Sequence, residues 1–261
     1  MIGPRIAAIA LACSDPVATA CFYCDAFGCR MESVRAAGVT LRLGDEVLDL
    51  IGAAGPPMDP PLSNATGFQH CAIIVSNMAA AMARLAPVPG WTAISRGSPE
   101  RLPAASGGAT AFKFRDPDGH PLEFLQFAPG AVPPVWRRGA DGPACLGIDH
   151  SAITVRDADR AIAFYEGLGF TLGERHLNRG PEQARLDGLD VPKAEVEVVS
   201  LQAAGGASPH LELLCYRDPP ALRAPVPDGS PFATRLRLTG LPGPARDLAD
   251  PDGHRIGIGR F

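Results

Sequence analysis

The sequence predicts an α+β fold assembled from four related βαβββ units, the fourth abbreviated. Three observations carry this. The pentapeptide DPDGH occurs twice, at residues 116–120 and 250–254, and each copy leads into an apolar run. The stretches CSDPVATACFYCDAFGC (13–29) and VRDADRAIAFYEGLGF (155–170) align without a gap, which places Phe22 and Tyr23 on Phe164 and Tyr165. Three short apolar segments, RIAAIALAC, FQHCAIIV and IDHSAITV, stand at corresponding places. Such internal similarity at long period sets the organisation of the chain before any single element does. The units run over about residues 4–53, 66–128, 146–217 and 230–261.

Each of the first three units opens on its apolar segment as a strand, which a helix follows. Asp15 beside Pro16, Asn77 and Asp157 are side chains that accept from the free N–H groups of a helix start, and Gly28 and Gly169 suit helix ends. Glycine-punctuated runs of alternating character follow and end in VLDLI, PLEFLQF and HLELLCY, a strand pattern. In the fourth unit too few residues separate Thr234 from Asp250 for a helix and a full set of strands. The stretch 129–147, containing PPVWRRGADGP, reads as a linker between a half at 1–128 and a half at 148–261, and residues 56–63 mark a shorter boundary. Asp-Pro-Asp-Gly is strong turn chemistry, so His120 and His254 read as hairpin residues.

Composition fits a soluble, cytoplasmic protein. With 261 residues and 46% hydrophobic content the chain can bury two modest cores, and its net charge of −4 argues against a nucleic-acid surface. No apolar run reaches the length of a membrane span. Seven cysteines without a secretory signal fit reduced thiols. Cys21 and Cys24 form a CxxC, but inside the first helix and with no second pair at zinc spacing.

Glu123 stands alone among apolar residues in PLEFLQF. Burying an unpaired carboxylate is costly, so it needs solvent, a cation or a metal. The βαβββ units, the AFYEGLGF helix and the DPDGHPLEF strand together resemble the vicinal oxygen chelate superfamily of glyoxalases, extradiol dioxygenases and bleomycin-resistance proteins. The resemblance covers nearly the whole chain, with unit four the weakest part. It implies units paired into two incomplete barrels, each with a cup where a metal is held by one residue from the first and one from the last strand of each unit. Carried over, the first-strand positions are Ala8, His70, His150 and Thr234, and the last-strand positions Asp49, Glu123, Glu212 and Gly257.

If units two and three share a cup, the implied metal ligands are His70, Glu123, His150 and Glu212. Two imidazoles and two carboxylates suit one divalent ion, whether Zn, Ni, Mn, Co or Fe. The alternative pairs one with two and three with four, splitting the ligands between cups. The resemblance then implies a small oxygenated substrate chelated through two neighbouring oxygens. With Glu123 or Glu212 as the catalytic base, the activity is that of a lyase, isomerase or epimerase. An iron-dependent ring-cleaving dioxygenase and a metal-free binding protein are the other two readings. Around the cup, Asn178, Arg179, Arg185 and Tyr216 are candidate substrate contacts, with Phe112 and Trp91 as further lining and His210 beside Glu212. The chain is expected to work as a monomer or homodimer, without nucleic acid or membrane.

Overall fold

The computed structural model describes residues 3–53, 55, 59–104, 107–137, 142–204, 208–224, 226–227, 229–230 and 233–260. Parts of the two expected connectors, residues 56–58 and 138–141, lie outside the described residues. The first stretch gives β1 (Arg5–Cys13), α1 (Pro16–Phe27), β2 (Arg30–Arg35), β3 (Gly38–Leu43) and β4 (Glu46–Gly52). The second gives β5 (Gln69–Val75), α2 (Met78–Leu85), the short β6 (Thr92–Ala93) and β7 (Glu100–Arg101), then β8 (Thr110–Arg115) and β9 (Pro121–Gln126). The third gives β10 (Cys145–Val155), α3 (Ala158–Gly167), β11 (Thr171–Gly180), α4 (Pro181–Leu186), β12 (Ala194–Gln202) and β13 (His210–Asp218). The last gives β14 (Thr234–Thr239), β15 (Arg246–Ala249) and β16 (Arg255–Ile258), with no helix among its described residues.

Helix starts follow the sequence. Asp15 accepts from the N–H groups of Val17 and Ala18 at 2.9 and 3.1 Å, Asn77 from Ala80 at 2.9 Å, and Asp157 from Arg160 at 3.0 Å. Gly28 ends α1 at φ 78°, a backbone region that other residues enter at a cost. Helix α4 was not legible in the sequence. Pro181, whose fixed φ suits the first helical position, starts it after Gly180 at φ 128°.

Two sheets form, and neither closes into a barrel. One runs β15-β16-β14-β1-β4-β3-β2 and joins the first stretch to the last; the other runs β11-β12-β13-β10-β5-β9-β8-β6, with β7 also on β8, and joins the second to the third. Inner therefore pairs with inner and outer with outer, and each sheet takes strands from both sides of the linker. Strand β10 begins at Cys145, one residue before the expected start of the third unit and within the range read as linker.

The DPDGH turns tie the sheets together. Asp116 Oδ1 accepts from the backbone N–H of Asp118, Gly119 and His120 at 2.9–3.0 Å, while its Oδ2 lies 2.8 Å from His120 Nδ1 and accepts from the Tyr23 hydroxyl of α1 at 3.1 Å. Asp250 repeats this: it accepts from Asp252 and His254, and from Tyr165 of α3 at 3.3 Å. The aligned tyrosines thus clip the first stretch to the second and the third to the fourth. Around them one apolar core runs through α1, α2, α3 and both sheets. Phe27 of α1 packs edge-on at 5.7 Å to Phe124 of β9. The opposite face of β9 is left to carry the site.

Candidate metal centre

Strand pairing places the four expected residues symmetrically. In the antiparallel β5–β10 pair, His70 faces Ala152 and Ala72 faces His150. Glu123 on β9 lies beside Ala72, and Glu212 on β13 lies beside Ala152, both in parallel pairs. Alternation along a strand puts residues two apart on one face, so all four side chains rise from one surface and the two alanines leave room between them.

They converge at its centre. His70 Nε2 is 2.8 Å from Glu123 Oε2, His150 Nε2 is 3.5 Å from Glu212 Oε2, and the two imidazole centroids are 5.5 Å apart. His70, Glu123 and His150 each present a ligand atom within 4.8 Å of the others. All three are buried and Glu212 is half-buried.

Two observations test whether this set fits a cation. Neither ring nitrogen of His70 makes a hydrogen bond although the ring is buried, so its 2.8 Å approach to Glu123 lacks hydrogen-bond alignment. Buried polar atoms are rarely left so. His150, in turn, has its Nδ1 3.1 Å from Asp149 Oδ2, and Asp149 Oδ1 accepts from the Trp136 indole N–H at 3.0 Å. Carboxylates that orient an imidazole in this way commonly stand behind metal ligands. The donor set of two nitrogens and two oxygens fits a divalent transition ion.

Electrostatics prepare the carboxylates. Burial would raise the Glu212 carboxyl, but His150 and His210 outweigh it and hold the group well below its ordinary value. Glu123 is likewise lowered, since Lys113 and His70 overcome its burial. Burial and Lys113 lower His70, favouring the neutral imidazole. His150 is raised to about 9: burial opposes this, and Glu212 and Asp149 prevail.

A cavity of about 220 Å³ opens above the four residues, with Leu102, Leu125, Leu186 and Leu214 on its apolar wall. Of the four candidate substrate contacts, Asn178 lines it. Arg179 points out at the end of β11, and Arg185 is exposed and held bidentately by Glu100 at 2.5 and 3.0 Å, so neither guanidinium reaches the cavity wall. Tyr216 is buried beneath the cavity lining near Asp187. Phe112 and Trp91 belong to the aromatic core on the other face of the sheet. His210 Nε2 stands 3.4 Å from Glu212 Oε1, and His176 lines the cavity.

Sequence reasoning missed Lys113, Asp149, Gln183 and Asp187. Lys113 pairs across the strands with Glu123, its Nζ 4.0 Å from Glu123 Oε2 and 2.6 Å from Asp187 Oδ1. Lys113 is flanked by Phe112 and Phe114 in the strand TAFKFR, a charge between apolar neighbours as Glu123 is.

The outer sheet repeats the frame with other residues. Ala10 lies beside Asp49 as Ala72 lies beside Glu123. The β1–β14 register sets Ala8 opposite Arg237 and Ala10 opposite Arg235. Arg235, not Thr234, therefore occupies the first-strand position of the fourth stretch, beside Arg237 and Gly257. Arg237 binds Asp49 at 2.5 Å, and Thr40 donates to the same carboxylate at 2.8 Å.

The sequence matches the family described as the Glyoxalase/Bleomycin resistance protein/Dioxygenase superfamily over residues 5–124 and 147–226. The chain belongs to this superfamily. Among solved structures, glyoxalase I from Zea mays is similar with 19% identity and a TM-score of 0.62 over 98% of this chain and 92% of that one. A mutant of the same maize enzyme gives 17% identity and 0.63 over 98% and 93%. A Bacillus subtilis protein provisionally described as a dioxygenase gives 15% identity and 0.58 over 99% and 86%. At these identities the likeness is one of fold. No curated protein matches the sequence.

Proposed function

We propose that the inner cup holds one divalent metal ion through His70, Glu123, His150 and Glu212. In this reading the protein is a lyase, isomerase or epimerase acting on a small substrate chelated through neighbouring oxygens. The observation that carries it is Glu212: an ionised second carboxylate beside, but outside, the tight group of His70, Glu123 and His150. When bound, the ion supplies Lewis acidity that makes the carbon next to the chelating oxygens acidic. Glu212 would take the proton from that carbon and return it. Asp149 keeps the His150 Nδ1 proton in place, and the leucine wall keeps bulk water from the carbanion face.

The test has two parts. Metal content of purified protein, by elemental mass spectrometry, is expected near one equivalent for wild type and Asp49→Ala and near zero for His70→Ala and His150→Ala. Reconstituted protein is then screened with small 2-hydroxy acids and hydroxyketones in deuterated water for exchange at the adjacent carbon. Glu212→Gln should keep metal and lose exchange. Metal-free wild type after reconstitution, or exchange undiminished in Glu212→Gln, refutes the reading.

A second reading, an iron-dependent dioxygenase, is favoured by the tight group itself, since two histidines and one carboxylate are the ligand set of such enzymes. Oxygen uptake by iron-loaded protein with catechols, in the absence of proton exchange, would select it.

A further inference from the structure

The cavity has a polar corner apart from the four residues of the metal centre. Gln183 of α4 and Asn178 of β11 both line it, both are more than nine-tenths buried, and the amide oxygen of each has no hydrogen-bond partner. For Gln183 the orientation is settled by its neighbour. Its Nε2 donates to Asp187 Oδ2 at 2.6 Å, and a carboxylate accepts but does not donate, so the oxygen is the end left over. Asp187 is itself fixed, with Lys113 on its other oxygen at 2.6 Å and its backbone carbonyl accepting from Ser63 at 2.8 Å. A buried acceptor without a partner is costly, and it persists here in a side chain pinned at its other end.

We infer that this corner is a subsite for a hydroxyl group of the substrate, which donates to Gln183 Oε1, with Asn178 as a second contact. The inference rests on the reading of the cup as a chelating centre and narrows its substrate class. The ligand is a small hydroxy acid or hydroxyketone carrying one hydroxyl more than the two chelating oxygens. Its size is limited by a cavity smaller than the roughly 300–1,000 Å³ of most ligand pockets. A site built to receive a hydroxyl discriminates strongly against the analogue that lacks it, because its own polar group is then stranded.

The probes are glycerate and lactate, which share carboxylate and 2-hydroxyl and differ by one hydroxyl on the third carbon. Dissociation constants are measured by calorimetry on metal-loaded wild type and Gln183→Met, with metal content determined on the same samples. Glycerate is expected to bind at least about tenfold tighter than lactate to wild type. The preference should vanish in Gln183→Met while lactate affinity stays as it was. Equal binding, tighter lactate binding, no binding of either, or a preference undiminished in Gln183→Met overturns the subsite and leaves the metal reading standing. Should the protein hold no metal, that reading fails on its own. The glycerate–lactate comparison, made by NMR on metal-free protein, then still decides the subsite: a preference supports it and none overturns it.

Discussion

Replacing Asp149 by asparagine changes one atom and should damage the metal centre, for reasons of hydrogen-bond polarity. The Asp149 carboxylate accepts twice, from the Trp136 indole N–H at 3.0 Å and from His150 Nδ1 at 3.1 Å. Asparagine has one acceptor and one donor end. With its oxygen toward Trp136, the NH2 faces His150 Nδ1, and that nitrogen must give up its proton to Nε2, the atom needed for metal. With its oxygen toward His150, the NH2 opposes the indole N–H. Either way one charge-assisted hydrogen bond is lost, worth about 1.5–3 kcal/mol. Because each 1.4 kcal/mol is a factor of ten, the loss is roughly ten- to a hundredfold in affinity, the range found for residues behind metal ligands. Competition titration with a chromophoric zinc chelator reads this directly. In a Trp136→Phe background the donor conflict disappears, so Asp149→Asn should cost less there. Affinity within twofold of wild type, or an equal loss in both backgrounds, would refute the polarity argument.

Lys113→Leu should lower the free energy of unfolding by about 3–5 kcal/mol in urea titration, since it leaves the buried Asp187 carboxylate without its cation at 2.6 Å; a loss under 1 kcal/mol would count against this. His120 should make stability fall as the solution turns alkaline. Burial alone would lower this imidazole, but Asp116 outweighs it and raises the group above its ordinary value. The contribution is therefore complete below the unfolded value near 6.5 and is lost as pH rises through the folded one, a slope that chemical denaturation should find reduced in His120→Gln. Gly147→Ala places a Cβ against Glu46 Oε2 and the Trp136 ring. It should cost about 1–3 kcal/mol of stability by overpacking and, through the displaced indole, also weaken metal binding. Unchanged melting and metal affinity together would show that Trp136 has room to move.

The elements were legible where local chemistry decides them. Asp15, Asn77 and Asp157 mark their helices because a capping side chain acts within three residues of itself. The His–Glu pairs were legible as positions, because strand alternation fixes faces. Their meeting was not, since two pairings of the units were open and only the β5–β10 register decides between them. Asp187 is held by Lys113 and Ser63 from far off in sequence, while Asp149 beside His150 and Gln183 four residues before Asp187 make local contacts that no residue pattern announces. The arginines failed for the opposite reason. Arg179 and Arg185 look like anion-binding groups by type, yet one faces solvent and the other is occupied by Glu100.

The two sheets show why one cup gathers two histidines and two carboxylates and the other does not. Their frames coincide residue for residue: Ala8, Ala10 and Asp49 stand where His70, Ala72 and Glu123 do, and Arg235, Arg237 and Gly257 where His150, Ala152 and Glu212 do. The decisive difference is at the small residue. Ala152 leaves space above β10, whereas Arg237 fills the same place above β14 and brings its own cation to Asp49. A carboxylate already paired with a guanidinium and with Thr40 has little to gain from a metal. With alanine and arginine at the histidine positions, no imidazole is there to help. The outer carboxylate is thus neutralised by a guanidinium in direct contact, whereas in the inner pair the nearest cation to Glu123, Lys113, stands back at 4.0 Å and neither ring nitrogen of His70 makes a hydrogen bond.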